Sequence, residues 1–527
     1  MPLASTAATR TRSTRRPSAP VLGLGSSASE LQALRNTIYD LGDNANIWYQ
    51  QNSFAWIYPA AARAGLPDVL SRMSAYLAGR DGESARMRGN GTVVQANGGG
   101  ETFGSIETVN SMMLSSFDGV LRFFPAWPAA HDASFTSIAA TGAFTVSGAI
   151  AGGTVQTATV ASAQGRTLKV AQPWPGATIT ITDIAGVSPV IGSSSTVTAS
   201  TTAGHSYSVA FSGGTKPAVD LATEATPSAS STISTGYWWA GYAIDGQTGS
   251  QPSTLGWTSS SNLTVDHSEY YQLDFGSTKS FNRVDLWPRS DSGNVGQGFP
   301  RSYSVSVSSD GSTWTTVATG AAAAVPSTAV VLHLLPQSAR YVRVTGQSLR
   351  ANPNDSNQYR MQFAEVGVYN DSSTPTDLAR SSTASASSSV SAAPLWQLSN
   401  VNDGILVSSG SVNGWSSSAT LNSDHSEWVG FDLEATKRFS EVDLYPRTDG
   451  VNAGYGMPSE VVIGISADGV TWTTVADVMV TSPSPIPVYV SVGQQSARYL
   501  RTTGVHLVAN PNDISQYRMQ FAEVEVG

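Results

Sequence analysis

The sequence predicts a mainly β fold: two tandem antiparallel β-sandwiches of jelly-roll type, preceded by a small β-domain and a partial α-helical segment. Three observations predict it. An internal repeat fills the C-terminal half of the chain, each copy reads as short strands separated by Gly/Ser turns, and only residues 29–117 carry apolar side chains at helical spacing.

The repeat is long and in register. Asp245-Gly246 recurs as Asp403-Gly404, Trp257 as Trp415, and Asp266-His267-Ser268-Glu269 as Asp424-His425-Ser426-Glu427. Pro288-Arg289 recurs as Pro446-Arg447, Asp310-Gly311-x-x-Trp314 as Asp468-Gly469-x-x-Trp472, and Gln358 to Val366 as Gln516 to Val524. Each pair is 158 residues apart, so no net insertion separates the copies from Asp245 onward. Within a copy, Tyr271–Phe275, Tyr303–Val307, Tyr341–Val344 and Val366–Tyr369 alternate in the strand manner, and Asp-Gly pairs mark hairpin turns. The copies are placed at 218–370 and 377–527, each long enough for its own core.

Upstream the period changes. Leu31, Leu34, Ile38 and Leu41, then Leu70, Met73 and Leu77, then Ile106, Val109, Met113 and Leu114 follow helical spacing. Met112 and Met113 are read as core. From Gly119 the pattern turns to β, as in Phe144-Thr145-Val146 and Thr178–Ile181, which sets a β-domain at 118–215. Residues 1–28 read as a disordered tail in which Arg10, Arg12, Arg15 and Arg16 are solvated.

Composition excludes several functions. The net charge of −9 argues against a phosphate grip on nucleic acid. The absence of cysteine removes disulfides, zinc–thiolate sites and thiol catalysis. No apolar run approaches the ~18 residues of a membrane span, and residues 1–28 lack the apolar core of a signal peptide. No nucleophile elbow, P-loop or histidine cluster is present.

The ordered elements A-x-D-G, G-W, Q-L-D-F-G, L-W-P-R, G-F-P, S-x-D-G-x-x-W, R-Y-V-R-V and A-E-V-x-V, present in both copies with minor changes, resemble the discoidin (coagulation factor C) domain, and within it carbohydrate-binding module family 32. The resemblance implies a discoidin-like jelly roll whose loops hold a sugar at one end. The implied pocket is His267, Tyr270, Arg289, Asn294 and Tyr359 in the first copy, and His425, Trp428, Arg447, Asn452 and Tyr517 in the second. Polar groups fix hydroxyls and rings stack on the pyranose face. The plain alternatives are an Arg289–Glu269 surface pair, and Tyr270 and Trp428 as core at the start of a strand. The resemblance also implies a structural calcium ion, Ca2+, between the Asp-Gly loop and the terminal Glu: Asp245 with Glu365, and Asp403 with Glu523. Galactose- or fucose-type glycans are the implied partners, and extracellular location is implied by family.

Asn52–Pro59, Gly104–Leu114, Asp118–Pro128 and Gln172–Gly176 resemble the C-terminal end of glycoside hydrolase family 95, the α-L-fucosidases and their α-L-galactosidase relatives. That implies remnant helices of an (α/α)6-type barrel at 29–117, followed by the enzyme's β-domain. Inverting hydrolysis needs an acid and a base-assisted water, and in the family these lie upstream of anything present here. Glu101 is a weak counterpart of one supporting carboxylate, standing beside Gly100 where many members have Asp; its alternative is a helix N-terminal Glu favoured by the dipole. The expectation is a modular, fucosidase-like hydrolase end bearing two sugar-targeting modules and inactive alone, the chain being a gene fragment, a mis-called start or half of a split protein. The rival is a non-catalytic lectin-like adhesion protein. A lipid-binding version needs exposed apolar spikes on the loops, and none is evident in the sequence.

Overall fold

The computed structural model describes residues 22–44, 47–49, 54–78, 100–129, 131–186, 188–216, 218–233, 238–250, 255–260, 263–371, 377–380, 382–390, 394–408, 413–418 and 422–527. The arginines of the N-terminal tail lie outside them. The chain forms two compact units, one reaching Thr223 and the other comprising Glu224–Ser250 and Leu255–Gly527.

The first unit holds α1 (Ala28–Tyr39), α2 (Phe54–Arg63), α3 (Val69–Ala78) and α4 (Gly100–Met113). Ser27 and Glu30 form a reciprocal capping box at the start of α1. The helices bury Tyr39, Trp48, Ile57, Tyr58, Leu66, Met73, Tyr76 and Met112. The face of α4 differs from the one its spacing predicts. Gly104, Thr108 and Met112 are buried and Ile106 is 55% exposed. Leu114 lies beyond the helix, in a short strand, and packs with Met113 in the β core. The helical spacing runs one residue past the helix, across the point where the chain changes structure.

The β part of this unit is a seven-stranded antiparallel sheet. Its main path runs β1 (Ala133–Ala140), β2 (Phe144–Ala151), β3 (Ala158–Ser162), β6 (Ser206–Ser212), β4 (Thr178–Asp183), β5 (Val190–Gly192). Alternate residues of β4 are buried, so Ile179 and Ile181 join Val146, Val160 and Val209 in one core.

The second unit contains the two modules. The first is built from β7 (Thr226–Ala229), β8 (Glu269–Trp287), β9 (Ser302–Ser308), β10 (Thr315–Ala322), β11 (Val330–Ser348) and β12 (Glu365–Tyr369). The second repeats them as β13 (Thr383–Ala386), β14 (Glu427–Pro446), β15 (Glu460–Ser466), β16 (Thr473–Met479), β17 (Val488–His506) and β18 (Gln520–Val526). The predicted strand segments fall in β8, β9, β11 and β12. Strands β8 and β11 pair antiparallel from Glu269–Gly346 to Leu286–Val330, with the register broken between Asp274 and Lys279. Before the break β8 also pairs with β7, and after it with β12. One long strand thus serves two layers, and their apolar faces close on Trp257, Tyr271 and Phe363, with Trp257 and Tyr271 ring centroids 5.1 Å apart. The Asp-Gly turns join β9 to β10 and β15 to β16, with Gly311 and Gly469 at φ +74° and +77° and Asp310 accepting the Ser312 and Thr313 amides.

The modules are joined through their sheets. β10 pairs in parallel with β17, from Thr319–Val488 to Ala322–Ser491. The phenols of Tyr445 and Tyr489 both donate to the His333 carbonyl, at 3.3 and 2.5 Å. Into this junction β14 places Glu441 and Asp443, both buried. Burial pushes the Glu441 carboxyl up to about 8, with Asp285 of the first module adding to it and a hydrogen bond from the Val331 backbone opposing it. Asp443 is raised by burial, then by Glu441, Glu525 and Asp377. Tyr303, Tyr445 and Tyr489 face the same carboxylates. Arg283, the nearby cation of the first module, is held by Asp285 and Asp371, and burial and Arg283 together lower His333 to about 4. Glu441 and Asp443 therefore keep protons in the folded junction that the unfolded chain releases above pH ~4.5. Stability from these two carboxyls is full below that pH and is lost as pH rises towards about 8, whereas the lowered His333 contributes in the opposite sense, losing stability as pH falls below ~6.5. We expect the melting temperature to fall between pH 5 and pH 9, and Glu441→Gln with Asp443→Asn to flatten that slope; a wild-type curve flat over this range would contradict the assignment.

Candidate functional site

The end of each sandwich is made by three loops, and the third ties the other two together. In the first module Asp266 accepts the Leu349 amide and the Ser348 hydroxyl, both at 2.7 Å, and the Leu263 carbonyl accepts the Tyr359 amide. The loop after β8 is bound to the same segment: Asn354 Nδ2 donates to the Gly293 carbonyl at 2.7 Å, and the Gln362 amide donates to the Gly298 carbonyl. The loops carrying His267 and Arg289 thus belong to one rim. The second module repeats the arrangement through Asp424–Leu507, Asn512–Val451 and Gln520–Gly456.

At this rim Arg289 lies flat over the Trp238 ring, 4.8 Å from its centroid, and Arg447 lies over Trp396 at 4.7 Å. Each guanidinium is fixed by a bidentate pair with Asp291 or Asp449 and donates a further bond to Gln362 or Gln520. The glutamine fits because the neighbouring residue is Gly298 or Gly456, with φ +80° and +91°; a Cβ there would meet the glutamine side chain at 2.4 and 2.5 Å. Arg289 is therefore paired with Asp291, and not with Glu269. Asn294 donates to Asp291 at 3.2 Å, while Asn452 accepts from Asn510 at 3.0 Å.

The histidines are held differently. His267 Nδ1 faces the Val265 carbonyl and Nε2 faces Glu269, at 3.0 and 3.2 Å; His425 faces Ser423 and Glu427 in the same way. Glu269 is buried and also accepts the Ser230 and Ser231 hydroxyls. Both ring nitrogens are engaged within the protein, so the imidazole orders its loop and presents a ring edge rather than an open nitrogen. Tyr359 and Tyr517 are half-buried in the third loop. Tyr270 and Trp428 begin β8 and β14 but turn outward, under Arg343 (4.3 Å) and Arg501 (5.5 Å). They belong to the sheet face, away from Arg289 and Arg447, and are not core.

Sequence reasoning missed Trp238 and Trp396. The signal was present, because the 158-residue offset already holds at these two positions, seven residues before each Asp-Gly pair. It also missed apolar residues on the loops: Val265 is 65% exposed, Val451 76% and Ile514 88%. Val451 and Ile514 lie on two loops of the second module that the Asn512–Val451 bond joins.

The Asp-Gly loops sit against the terminal strand. Glu365 accepts the Gly246 amide at 2.8 Å; Glu523 accepts the Asp403 and Gly404 amides at 3.1 and 2.7 Å. Burial pushes Glu523 up to about 8, opposed by the Gly404 amide and raised further by Asp403 and Asp377. Among the described residues no group of three or more His, Asp or Glu side chains is gathered to hold a metal. Glu101 lies in the first turn of α4. Among the described residues no helix is long and apolar enough to cross a membrane.

Residues 226–363 and 383–519 each match the F5/8 type C domain. The chain belongs to the F5/8 type C family. No curated protein matches it. Among solved structures, its F5/8 type C modules are similar to a fucolectin from striped bass serum, at 17% identity, covering 58% of this chain and 97% of that one, TM-score 0.22. They are also similar to the family 32 carbohydrate-binding module of Clostridium perfringens NanJ solved with galactose, at 21% identity, covering 28% and 97%, TM-score 0.23. A third is chitosan-binding module 1 of a chitosanase/glucanase from Paenibacillus sp. IK-5, at 28% identity, covering 28% and 98%, TM-score 0.21.

Proposed function

We propose that the two F5/8 type C modules bind carbohydrate at their loop rims, in an extracellular setting. The observation that carries this reading is the duplicated stack of Arg289 on Trp238 and Arg447 on Trp396, each guanidinium locked by a carboxylate and a glutamine beside an exposed loop rim. A fixed guanidinium donates to sugar hydroxyls without losing rotamer freedom on binding, and the rings of Tyr359 and Tyr517 offer stacking surface in the same rim. His267 and His425 shape the rim through Glu269 and Glu427, with Asn294 and Asn452 beside the arginines. The known ligands of the similar structures, galactose among them, agree with this class. Two such sites on one rigid body favour a clustered or polymeric glycan. Fucose-type sugars follow only from the fucosidase resemblance and form one arm of the test. Removing a charged hydrogen-bond donor costs ~1.5–3 kcal/mol. Arg289→Ala with Arg447→Ala is therefore expected to weaken retention on galactose- or fucose-bearing glycans about tenfold or more; unchanged retention of the folded double variant would overturn the rim assignment.

Calcium fits the Asp-Gly loops as a structural ion. Asp245 with Glu365, and Asp403 with Glu523, would supply the carboxylates, and loop carbonyls the remaining oxygens. Burial first, and then repulsion from Asp403, raise Glu523, and a bound cation would favour its charged form against both. Bound calcium would supply charge neutralisation and tie the loop to the terminal strand. Thermal melts should then show a higher midpoint with added calcium than with chelator; identical midpoints would remove the ion from this reading.

We further read residues 30–215 as the C-terminal end of a fucosidase-like glycoside hydrolase, with the modules as its targeting part. The support is the set of motifs named above and the order of helices before a β-domain in the first unit. Glu101, in the first turn of α4, is the one residue carried over to the chemistry. Without an acid and a base on opposite faces of a sugar, no hydrolysis is expected. Turnover of a nitrophenyl α-L-fucoside by the purified chain would overturn this. The rival role, a lectin-like adhesion protein, uses the same rims and differs only in what precedes the modules.

A further inference from the structure

The two modules share one scaffold, so a position where one is filled and the other open is informative. On the outer sheet face of the first module, Arg343 lies over Trp314 at 3.8 Å and Tyr270 at 4.3 Å. Its Nε and Nη2 both donate to Gln272 Oε1, at 3.0 and 2.6 Å. Arg343, Gln272 and the two rings form a polar and aromatic stack in which the Nε–Nη2 edge of the guanidinium is satisfied by the glutamine.

The second module keeps the stack and loses the glutamine. Arg501 lies over Trp472 at 4.4 Å and Trp428 at 5.5 Å, and Gly430 stands where Gln272 would be. Arg501 Nε is enclosed and has no hydrogen-bond partner among the described residues. A donor left enclosed without an acceptor is destabilising, because its lost hydration is not replaced. A second difference lies behind the Trp472 ring, where Gly464 replaces Ser306 and its Cβ position is 3.5 Å from the ring. The result is a cavity of about 250 Å³ bordered by Trp428, Gly430, Asp432, Trp472, Tyr499 and Arg501. Asp432 is bound on both oxygens by Arg498, at 2.8 Å each, so its charge is already answered.

These features define a ligand. It must bring an oxygen acceptor to the guanidinium, an apolar face for the rings, and no requirement for a free carboxylate. The cavity is smaller than the ~300–1,000 Å³ of drug-sized sites, which suits a single ring. The group missing relative to the first module is a carboxamide. We propose that the sheet face of the second module is a further saccharide subsite, separate from the rim, that takes an N-acetylated hexosamine. Its acetamide carbonyl replaces Gln272 Oε1 as the acceptor for Arg501, and its pyranose face packs on Trp428 or Trp472. This rests on the carbohydrate-binding reading but uses none of the rim residues.

The test uses the whole chain with both rim arginines changed, Arg289→Ala and Arg447→Ala, titrated calorimetrically and by tryptophan fluorescence with the methyl β-glycosides of N-acetylglucosamine and N-acetylgalactosamine, and with methyl β-glucoside and β-galactoside. Binding of an acetamido sugar at one site per chain, at least tenfold tighter than its parent, is expected. Adding Gly430→Gln, which restores the arrangement of the first module, should abolish it. Should that variant fail to fold, Trp472→Ala, which removes one wall from an exposed turn, must weaken binding at least tenfold. If the unmodified chain binds sugar but the rim double variant does not, the subsite is refuted and the rim reading stands. If binding survives the rim changes and is lost with Gly430→Gln, the subsite stands, and the rim reading falls only where the unmodified chain binds no more sugar than the rim double variant. Acetamido and parent sugars binding alike, or a folded Gly430→Gln protein that binds unchanged, also overturns it.

Discussion

Each module depends on one long antiparallel strand pair, β8 with β11 and β14 with β17. A pair of 19-residue strands could not lie flat in a sandwich of this size. It is divided instead by an irregular stretch between Asp274 and Lys279, where the residues of β8 outnumber those they oppose on β11. The first half of β8 pairs with β7 and the second with β12, so a single strand passes from one layer to the other. The change of layer lets the loop before the strand, with His267, and the loop after it, with Arg289, bond to the same third segment. Residues more than twenty apart along an extended chain become parts of one rim because the strand between them changes layers.

The repeat made the modules legible. An exact 158-residue offset, alternation in the strand segments and Asp-Gly at the turns describe the same antiparallel fold. What did not read out was the direction in which a side chain points. The family resemblance implies Tyr270 and Trp428 as rim residues, the aromatic just after each histidine. The strand begins at Glu269 and at Glu427, and from there side chains alternate, so the next residue faces outward from the sheet. Arg289 was weighed against Glu269, yet its partner is Asp291, two residues on, where a turn brings carboxylate and guanidinium together. Glu269 instead holds His267 and two serines whose proximity no local pattern announces. The helical reading failed for a related reason: Ile106 fits a period of 3.6, but α4 ends at Met113 and Leu114 is claimed by the β core.

Duplicated modules are usually pictured as beads on a flexible linker, but here backbone hydrogen bonds join them. The parallel contact of β10 with β17 and the two phenols on the His333 carbonyl fix their relative orientation. Carboxylates buried at such a junction are costly in their charged form, which is why Glu441 and Asp443 hold protons far more tightly than exposed acids. A fixed junction has a functional consequence. Effective concentration is greatest when the spacing of two sites matches the spacing of the groups they bind, and a rigid spacer sharpens that dependence. On the proposed carbohydrate-binding reading, a glycan with repeating units would suit this arrangement better than one with a single terminal sugar.

Comparison of the copies separates scaffold from function. Residues kept in both, such as the Asp310 and Asp468 turns and the Gly298 and Gly456 positions beneath the glutamines, are explained by the fold alone. Identity at such turn and packing positions therefore says little about binding. A difference says more when the scaffold around it is unchanged. At Gln272 and Gly430 the surrounding arginine, tryptophan and tyrosine are retained or conservatively exchanged, while the group that satisfies the guanidinium is removed. If the site had only a packing role, losing the glutamine would leave an unsatisfied donor and an empty volume with nothing gained. Retaining Arg501, Trp472 and Tyr499 around that volume is economical only if something from outside fills it.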